Sequence, residues 1–265
     1  MSKKKSKKIR KEQAQELSSA EPEHLKLAAE KTAAIASYIK DPDYRLRCKA
    51  AIDILMAKLK MINAELSGQK KRTVISQITN RIKSAESIYA KLLKKGLEPD
   101  FETARKNLKD LIGIRVVCPF EDELYQVAES LEMQKDIEIV RIKDYIKNPK
   151  KNGYKSLHLI VKTPIFLKEG KKMITVEVQL RTIAMDFWAS LEHKLRYKKS
   201  IPEDQSKYLA EEMMDCAQIS SALDERMQKV RDVIMQAEEK EEEKSSGVEP
   251  LMLRGLTERI RQKNL

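Results

Sequence analysis

The sequence predicts an α+β fold in which a mixed β-sheet is flanked by helices and followed by a C-terminal helical extension. Two observations carry this. Apolar residues recur at three- and four-residue steps toward both ends of the chain, whereas a central stretch from about 113 to 180 turns to β-branched residues and period two. Across 265 residues the composition is 41% apolar and 35% charged with only seven Gly and eight Pro, which suits a helix-rich chain with an adequate core and a highly charged surface.

Residues 1–20 are Lys-rich, polar and without apolar period, so a disordered basic tail is expected there, either solubilising or in contact with RNA. A globular domain is expected over 21–200. Its helical region contains Ile52, Leu55, Leu59, Ile62 and Leu66, one apolar stripe on a helix from about Asp43 to Leu66. Thr73 to Lys83 is strand-like, and the step at Ser84 caps a short helix from Ala85 to Lys95 that stops at Gly96. Four further strands follow at Gly113–Cys118, Glu138–Lys143, Ser156–Thr163 and Met173–Leu180, with a helix over Glu121–Gln134 after the first. Helix returns from Ile183. Over 201–244 a second helical region carries a heptad-like seam of Leu209, Met213, Cys216, Leu223, Met227, Val230 and Ile234, broken by Ser220 and suited to helix-to-helix contact and oligomerisation. Residues 245–265 are expected to be a flexible tail.

The net charge is +12, unevenly spread. Residues 203–244 hold thirteen acidic against six basic residues, so that arm does not invite nucleic acid, while the middle of the chain is basic and draws polyanions. Cys48, Cys118 and Cys216 are odd in number and far apart, with no spacing for zinc or a disulfide framework, which fits a reducing cytoplasm. No run approaches the ~20 apolar residues of a membrane span, nor is there a signal segment. A soluble, unprocessed protein is expected.

Four segments carry candidate chemistry. In NRIKSAESIYAKLLKK, Arg81, Lys83, Lys91 and Lys94 surround a strand-to-helix junction and suit either a triphosphate or a solvated basic helix. In KDLIGIRVV, Asp110 precedes an apolar strand that contains Arg115, a cation whose burial requires an anion, supplied by a salt bridge or a phosphate. VEVQLRT alternates, with Glu177, Gln179 and Arg181 on one face; that face is either solvated or a site. The loop KDYIKNPKKNGYKSLH sets Tyr154 beside Lys143, Lys147, Lys150 and Lys151, an aromatic and cations that fit a nucleotide or an ordinary hairpin loop. Trp188 and His193 follow on a helix and read as packing residues.

Together these segments resemble the synthetase domain of the RelA/SpoT alarmone synthetases, most closely the small stand-alone enzymes of the RelQ and RelP type, over about residues 45–235. The motifs are R-x-K-x-x-E-S from Arg81, D-x-x-G-x-R from Asp110, D-Y-I-x-x-P-K-x-N-G-Y-x-S-x-H from Asp144 to His158, and E-x-Q-x-R-T from Glu177, with AMDFWASLEH continuing the pattern. The resemblance implies a nucleotidyltransferase-like synthetase fold and a GTP pyrophosphokinase that makes ppGpp or pppGpp from ATP and GDP or GTP. It implies Mg²⁺ held by Asp110 and Glu177, with Glu177 assisting deprotonation of the acceptor hydroxyl. ATP would be gripped by Arg81, Lys83, Lys91, Lys94 and Arg115. The guanosine side would be Lys143, Lys150, Tyr154 and His158, with Gln179, Arg181 and Asp186 lining the same cleft. Lys94 stands where many relatives have Arg and lacks a bidentate fork. A homotetramer is implied, and regulatory binding of RNA or (p)ppGpp stays open. The only histidines are His24, His158 and His193, none preceding Asp, so the hydrolase domain of the long family members is not expected. Two other activities are considered: a toxic variant acting on tRNA 3′ ends or adenosine nucleotides, and a catalytically silent RNA-binding protein. The intact loop around Lys150 and Tyr154 favours a guanine acceptor.

Overall fold

A computed structural model describes residues 25–196 and 203–263, so the expected basic tail lies outside the described residues. Helix α1 spans residues 25–40 and α2 spans Pro42–Lys70. Asp41 divides them. Its carboxylate accepts from the Tyr44 amide at 2.8 Å and Pro42 occupies the first helical turn, where its missing N–H costs nothing. Then come β1 (Gln77–Ile82), α3 (Ala85–Lys94), α4 (Phe101–Asn107), β2 (Ile112–Cys118), α5 (Glu121–Glu132), β3 (Glu138–Asp144), β4 (Leu157–Leu167), β5 (Gly170–Thr182), α6 (Ile183–Arg196) and α7 (Glu203–Lys263).

The five strands form one mixed sheet in the order β1-β2-β5-β4-β3. Only β2 and β5 run parallel; the other three pairs are antiparallel. Strand period sorts the residues. Ile112, Ile114, Val116, Leu157, Leu159, Val161, Val176, Val178 and Leu180 face one side, where Leu55, Leu59 and Ile62 of α2 and Leu124, Val127 and Leu131 of α5 cover them. Each such side chain removed from water contributes about 2 kcal/mol, and that face is the main core. A smaller cluster joins α1, α3 and α4 through Ile35, Ile88, Leu92, Phe101 and Leu108, with Tyr38 stacked on Phe101 at 5.1 Å and Tyr44 edge-on to it at 5.0 Å. The other face of the sheet carries the polar residues.

Helix α7 lies against the end of the sheet domain through a mostly polar face. The Trp188 indole donates to the Met213 carbonyl at 3.0 Å, Ser220 donates to the Ala184 carbonyl at 3.1 Å, and Arg231 pairs with Asp122 at 2.6 Å. Thr182 donates to Asp224, and Lys155 to Ser221. The tightest contact is at Gly153, whose φ is +82° and where a Cβ would fall 2.5 Å from that of Ala217. This face is one residue out of step with the apolar seam expected from the sequence. Leu209, Leu223, Met227, Val230 and Ile234 are therefore exposed in the single chain, and Ser220, which interrupts the seam, is a docking residue. Residues 245–263, expected to be a flexible tail, lie within the span of α7. Helix α4 was not anticipated; its signal is Asp100, which accepts from the Thr103 amide and hydroxyl at 2.8 and 2.7 Å.

Candidate active site

The polar face is organised in rows across the sheet. One row pairs Thr79, Arg115, Gln179, His158 and Lys143 on successive strands; the next places Gly113 beside Glu177, and Arg81 pairs with Gly113 from β1. The Arg81 side chain crosses Gly113 closely enough that a Cβ there would be 3.4 Å from its Nε. Glycine thus lets a guanidinium lie flat beside the strand that carries Glu177.

Asp110 sits just ahead of β2 and Lys83 just past β1, where the Lys83 amide donates to the Leu111 carbonyl at 2.8 Å and continues the ladder. Helix α3 brings Lys91 to the same place. Asp110 Oδ2 accepts from Lys83 at 2.9 Å and from Lys91 at 2.7 Å. Burial works to raise the Asp110 pKa, but the two lysines outweigh it and bring it down to about 2. Its other oxygen, Oδ1, is buried with no hydrogen-bond partner. Glu177 is equally buried and feels the charge of Asp110; burial and that charge push its pKa up, yet hydrogen bonds from His158 and Gln179 leave it below the ordinary carboxylate value. Two ionised carboxylates therefore sit near enough to feel each other's charge, one held by two lysines and the other by His158 and Gln179.

A second network joins the loop between β3 and β4 to the sheet. Tyr154 Oη lies 2.8 Å from His158 Nε2 and accepts from Arg181 Nη2 at 2.8 Å; His158 Nδ1 lies 3.3 Å from Glu177 Oε1. Gln179 donates to Glu177 Oε2 at 2.6 Å and accepts from Arg181 at 3.1 Å. Burial is the largest influence on His158 and pushes its pKa below the ordinary value, so the ring is neutral near pH 7. Lys150 Nζ is 4.5 Å from the centre of the Tyr154 ring and 4.6 Å from that of Tyr145. Asp186, from the first turn of α6, pairs with Arg115 at 3.1 Å and Arg181 at 3.0 Å and holds both guanidinia over the sheet.

A cavity of about 610 Å³ opens over this face, lined by Arg81, Gly113, Arg115, Tyr154, Gln179 and Arg181 from the sheet side and by Ala189, Glu192 and His193 of α6. That volume suits a nucleotide-sized ligand. Two of the cavity's lining residues are the neighbours of Glu177, Gly113 across the β2–β5 ladder and Gln179 two positions along β5 on the same face. Carboxylate oxygens beside a cationic, polyanion-sized hollow can hold a hard divalent cation and phosphate groups together, and the unpartnered Oδ1 of Asp110 is an acceptor of the kind such an ion uses.

Comparison with known proteins decides among phosphate-handling families. Residues 80–202 match the family described as "Region found in RelA / SpoT proteins". GTP pyrophosphokinase YwaC of Bacillus subtilis is 41% identical over 179 residues, covering 68% of this chain and 84% of that protein. The chain belongs to the RelA/SpoT family. Among solved structures, small alarmone synthetase 1 of Bacillus subtilis bound to its product pppGpp matches with a TM-score of 0.65 at 31% identity, covering 73% of this chain and 97% of that one. The same synthetase bound to AMPCPP matches with a TM-score of 0.57 at 29% identity, over 71% and 95% of the two chains. This member thus shares the fold of the small alarmone synthetases, with the mixed sheet and C-terminal helix expected from its sequence.

Within this candidate site, most residues singled out from the sequence come together: Asp110 with Lys83 and Lys91; Glu177 with His158, Gln179, Arg181 and Tyr154; Arg81 and Arg115 at the cavity. Lys143 occupies the far end of the central row, half-buried. Lys94 is exposed at the end of α3, with no hydrogen bond or ion pair to the site among the described residues. Arg115 meets an internal carboxylate, the salt-bridge alternative, and Asp186 acts as counter-ion to two arginines. Trp188 is core as expected, but His193, expected to pack, is exposed on the cavity wall. It lies one helical turn beyond Ala189, on the face α6 turns to the cavity. Tyr145 adds a second aromatic to the site, under Lys150 and edge-on to His158; its signal in the sequence is an aromatic directly after a strand, four residues before Pro149.

Proposed function

We propose that this chain is a GTP pyrophosphokinase that moves the β,γ-pyrophosphoryl group of ATP to the 3′-hydroxyl of GDP or GTP, yielding AMP and ppGpp or pppGpp. The acceptor 3′-oxygen bonds to the β-phosphorus, the bond from that phosphorus to the α,β-bridging oxygen breaks, AMP leaves, and the hydroxyl proton is released. The observation that carries this reading is the pair of buried, ionised carboxylates, Asp110 held by Lys83 and Lys91 and Glu177 on the strand beside Gly113, next to a cavity lined by Arg81 and Arg115. The pppGpp-bound and AMPCPP-bound relatives share that fold and supply the substrate classes.

Arg81, Lys83, Lys91 and Arg115 serve the triphosphate, with Lys94 as an outer charge. Lys143, Lys150, Tyr154 and His158 serve the acceptor, its guanine stacked on the Tyr154 ring in place of the Lys150 ammonium that covers it here. Glu177, buried and hydrogen-bonded to His158 on that side, takes the role of base for the 3′-hydroxyl. Asp110 and Glu177, through oxygens that include the unpartnered Oδ1, would hold Mg²⁺, which neutralises phosphate charge and aligns donor with acceptor. Gln179, Arg181 and Asp186 hold the cleft in shape.

We further propose a cytoplasmic homotetramer whose contacts use the exposed seam of α7; no described helix is long and apolar enough to cross a membrane. Sedimentation showing only monomer at micromolar protein would reject the assembly. For the reaction, the chain is incubated with labelled ATP, Mg²⁺ and GDP, GTP or GMP, and the products are separated by thin-layer chromatography. A pyrophosphorylated guanosine with stoichiometric AMP is expected, lost on chelation of Mg²⁺. AMP formed only with tRNA or an adenosine nucleotide as acceptor would overturn the guanosine assignment.

A further inference from the structure

One side chain in the site makes two kinds of contact that need not serve the same purpose. Tyr154 lines the cavity, its ring lies under the Lys150 ammonium, and its oxygen is bonded into the network around Glu177. The direction of each bond in that network follows from donor chemistry. Arg181 has N–H donors and no acceptor, so the Tyr154 oxygen accepts from it at 2.8 Å. The Tyr154 hydroxyl hydrogen is then directed at His158 Nε2, 2.8 Å away. With Nε2 accepting, the ring proton of His158 resides on Nδ1, 3.3 Å from Glu177 Oε1. The opposite tautomer would set the Nδ1 lone pair against an ionised oxygen.

The same arginine fixes the other half of Glu177. Its Nη2 donates to Gln179 Oε1 at 3.1 Å, which orients the amide so that Nε2 donates to Glu177 Oε2 at 2.6 Å. Two chains of hydrogen bonds start at Arg181, itself held by Asp186 at 3.0 Å, and end on the two oxygens of one carboxylate. One of them passes through the tyrosine oxygen.

We propose that the Tyr154 hydroxyl is a positioning group for the reaction: it holds His158 in the Nδ1–H tautomer and thereby orients Glu177, while the ring of the same residue binds the acceptor base. This rests on the pyrophosphokinase reading and adds a second role to a residue already assigned to the acceptor. The two roles separate experimentally because Tyr154→Phe removes the oxygen and keeps the ring.

Steady-state kinetics with ATP and GDP, together with ¹⁵N spectra of the full chain labelled at histidine, test it. Tyr154→Phe should lower kcat by about 10-fold or more, as loss of an orienting partner behind a reacting group does, with the acceptor KM within about twofold. Tyr154→Ala should add a rise in acceptor KM. In the spectra, the His158 signals, assigned by their loss in His158→Gln, should report the Nδ1–H tautomer in the wild type and a mixture in Tyr154→Phe. A Tyr154→Phe variant with wild-type kcat, or one altered only in KM, overturns the proposal. So does a wild-type His158 protonated on Nε2. Absence of guanosine pyrophosphorylation by the wild type would overturn the reaction assignment instead, and the spectra, which need no substrate, would still uphold or overturn the bonding that the proposal requires.

Discussion

Replacing Asp224 by Asn should stabilise the protein at alkaline pH. Asp224 lies on the docked face of α7, accepts from the Thr182 hydroxyl, and is crowded by Glu121 and Glu225 with only Lys155 to offset them. Burial first, then those carboxylates, raise its pKa from 3.8 to about 6. A carboxylate whose folded pKa is raised is held protonated by the native state, so stability falls as pH rises from about 4 through 6 and the full cost is present above that. The raise from 3.8 to about 6 corresponds to about 3 kcal/mol, reduced to about 2 kcal/mol by solvent at a half-buried site. Asparagine keeps an acceptor for Thr182 and cannot ionise. Urea unfolding followed through Trp188, the single tryptophan, reports on this interface because its indole donates to Met213 of α7. The Asp224→Asn advantage should reach about 2 kcal/mol at pH 8 and shrink to about half of that at pH 5. An Asp224→Asn variant less stable than wild type at pH 8, or an advantage that does not change with pH, would refute the reasoning.

Glu177→Gln and Asp110→Asn should each lower turnover by about 10²-fold or more, read as AMP formation with GDP as acceptor, and Asp110→Asn should also lower the urea midpoint at neutral pH, because Lys83 and Lys91 lose the charge they pair with. Gly153→Ala should be destabilising by about 1–3 kcal/mol in the same urea assay, since the new methyl group meets Ala217 at a backbone angle that favours glycine; it should also raise the acceptor KM because Tyr154 follows directly. Lys91→Ala should raise the ATP KM several-fold more than Lys94→Ala, because only Lys91 reaches Asp110; equal effects in initial-rate measurements would contradict that placement.

The sheet was legible because β-strand period is short and the apolar sets are clean. Val176, Val178 and Leu180 define one face of β5 without help from the rest of the chain, and Glu177, Gln179 and Arg181 then fall on the other. Site residues within one strand or one loop followed for the same reason. What did not follow was who pairs with whom across distance. The meeting of Arg115 with Asp186 depends on how α6 leaves β5, and the exposure of His193 on the angle at which α6 crosses the sheet; neither angle is written in local periodicity. Helix α7 shows the same limit. Its sequence carries an apolar seam, yet the face that docks within the chain is the polar one beside it, chosen by Gly153, Thr182 and Asp122 on the surface it meets.

The order of strands has a consequence for biosynthesis. β5, translated last, enters the sheet between β2 and β4 rather than at an edge, and it carries Glu177. A ribosome that has released residues 25–160 has produced Asp110, its lysines and the tyrosine loop, but with β2 and β4 still unjoined, since neither pairs with the other. The nucleotide-handling groups are thus assembled by a single late insertion, and a polypeptide interrupted before it holds half of its acidic pair and no continuous surface on which to align two substrates.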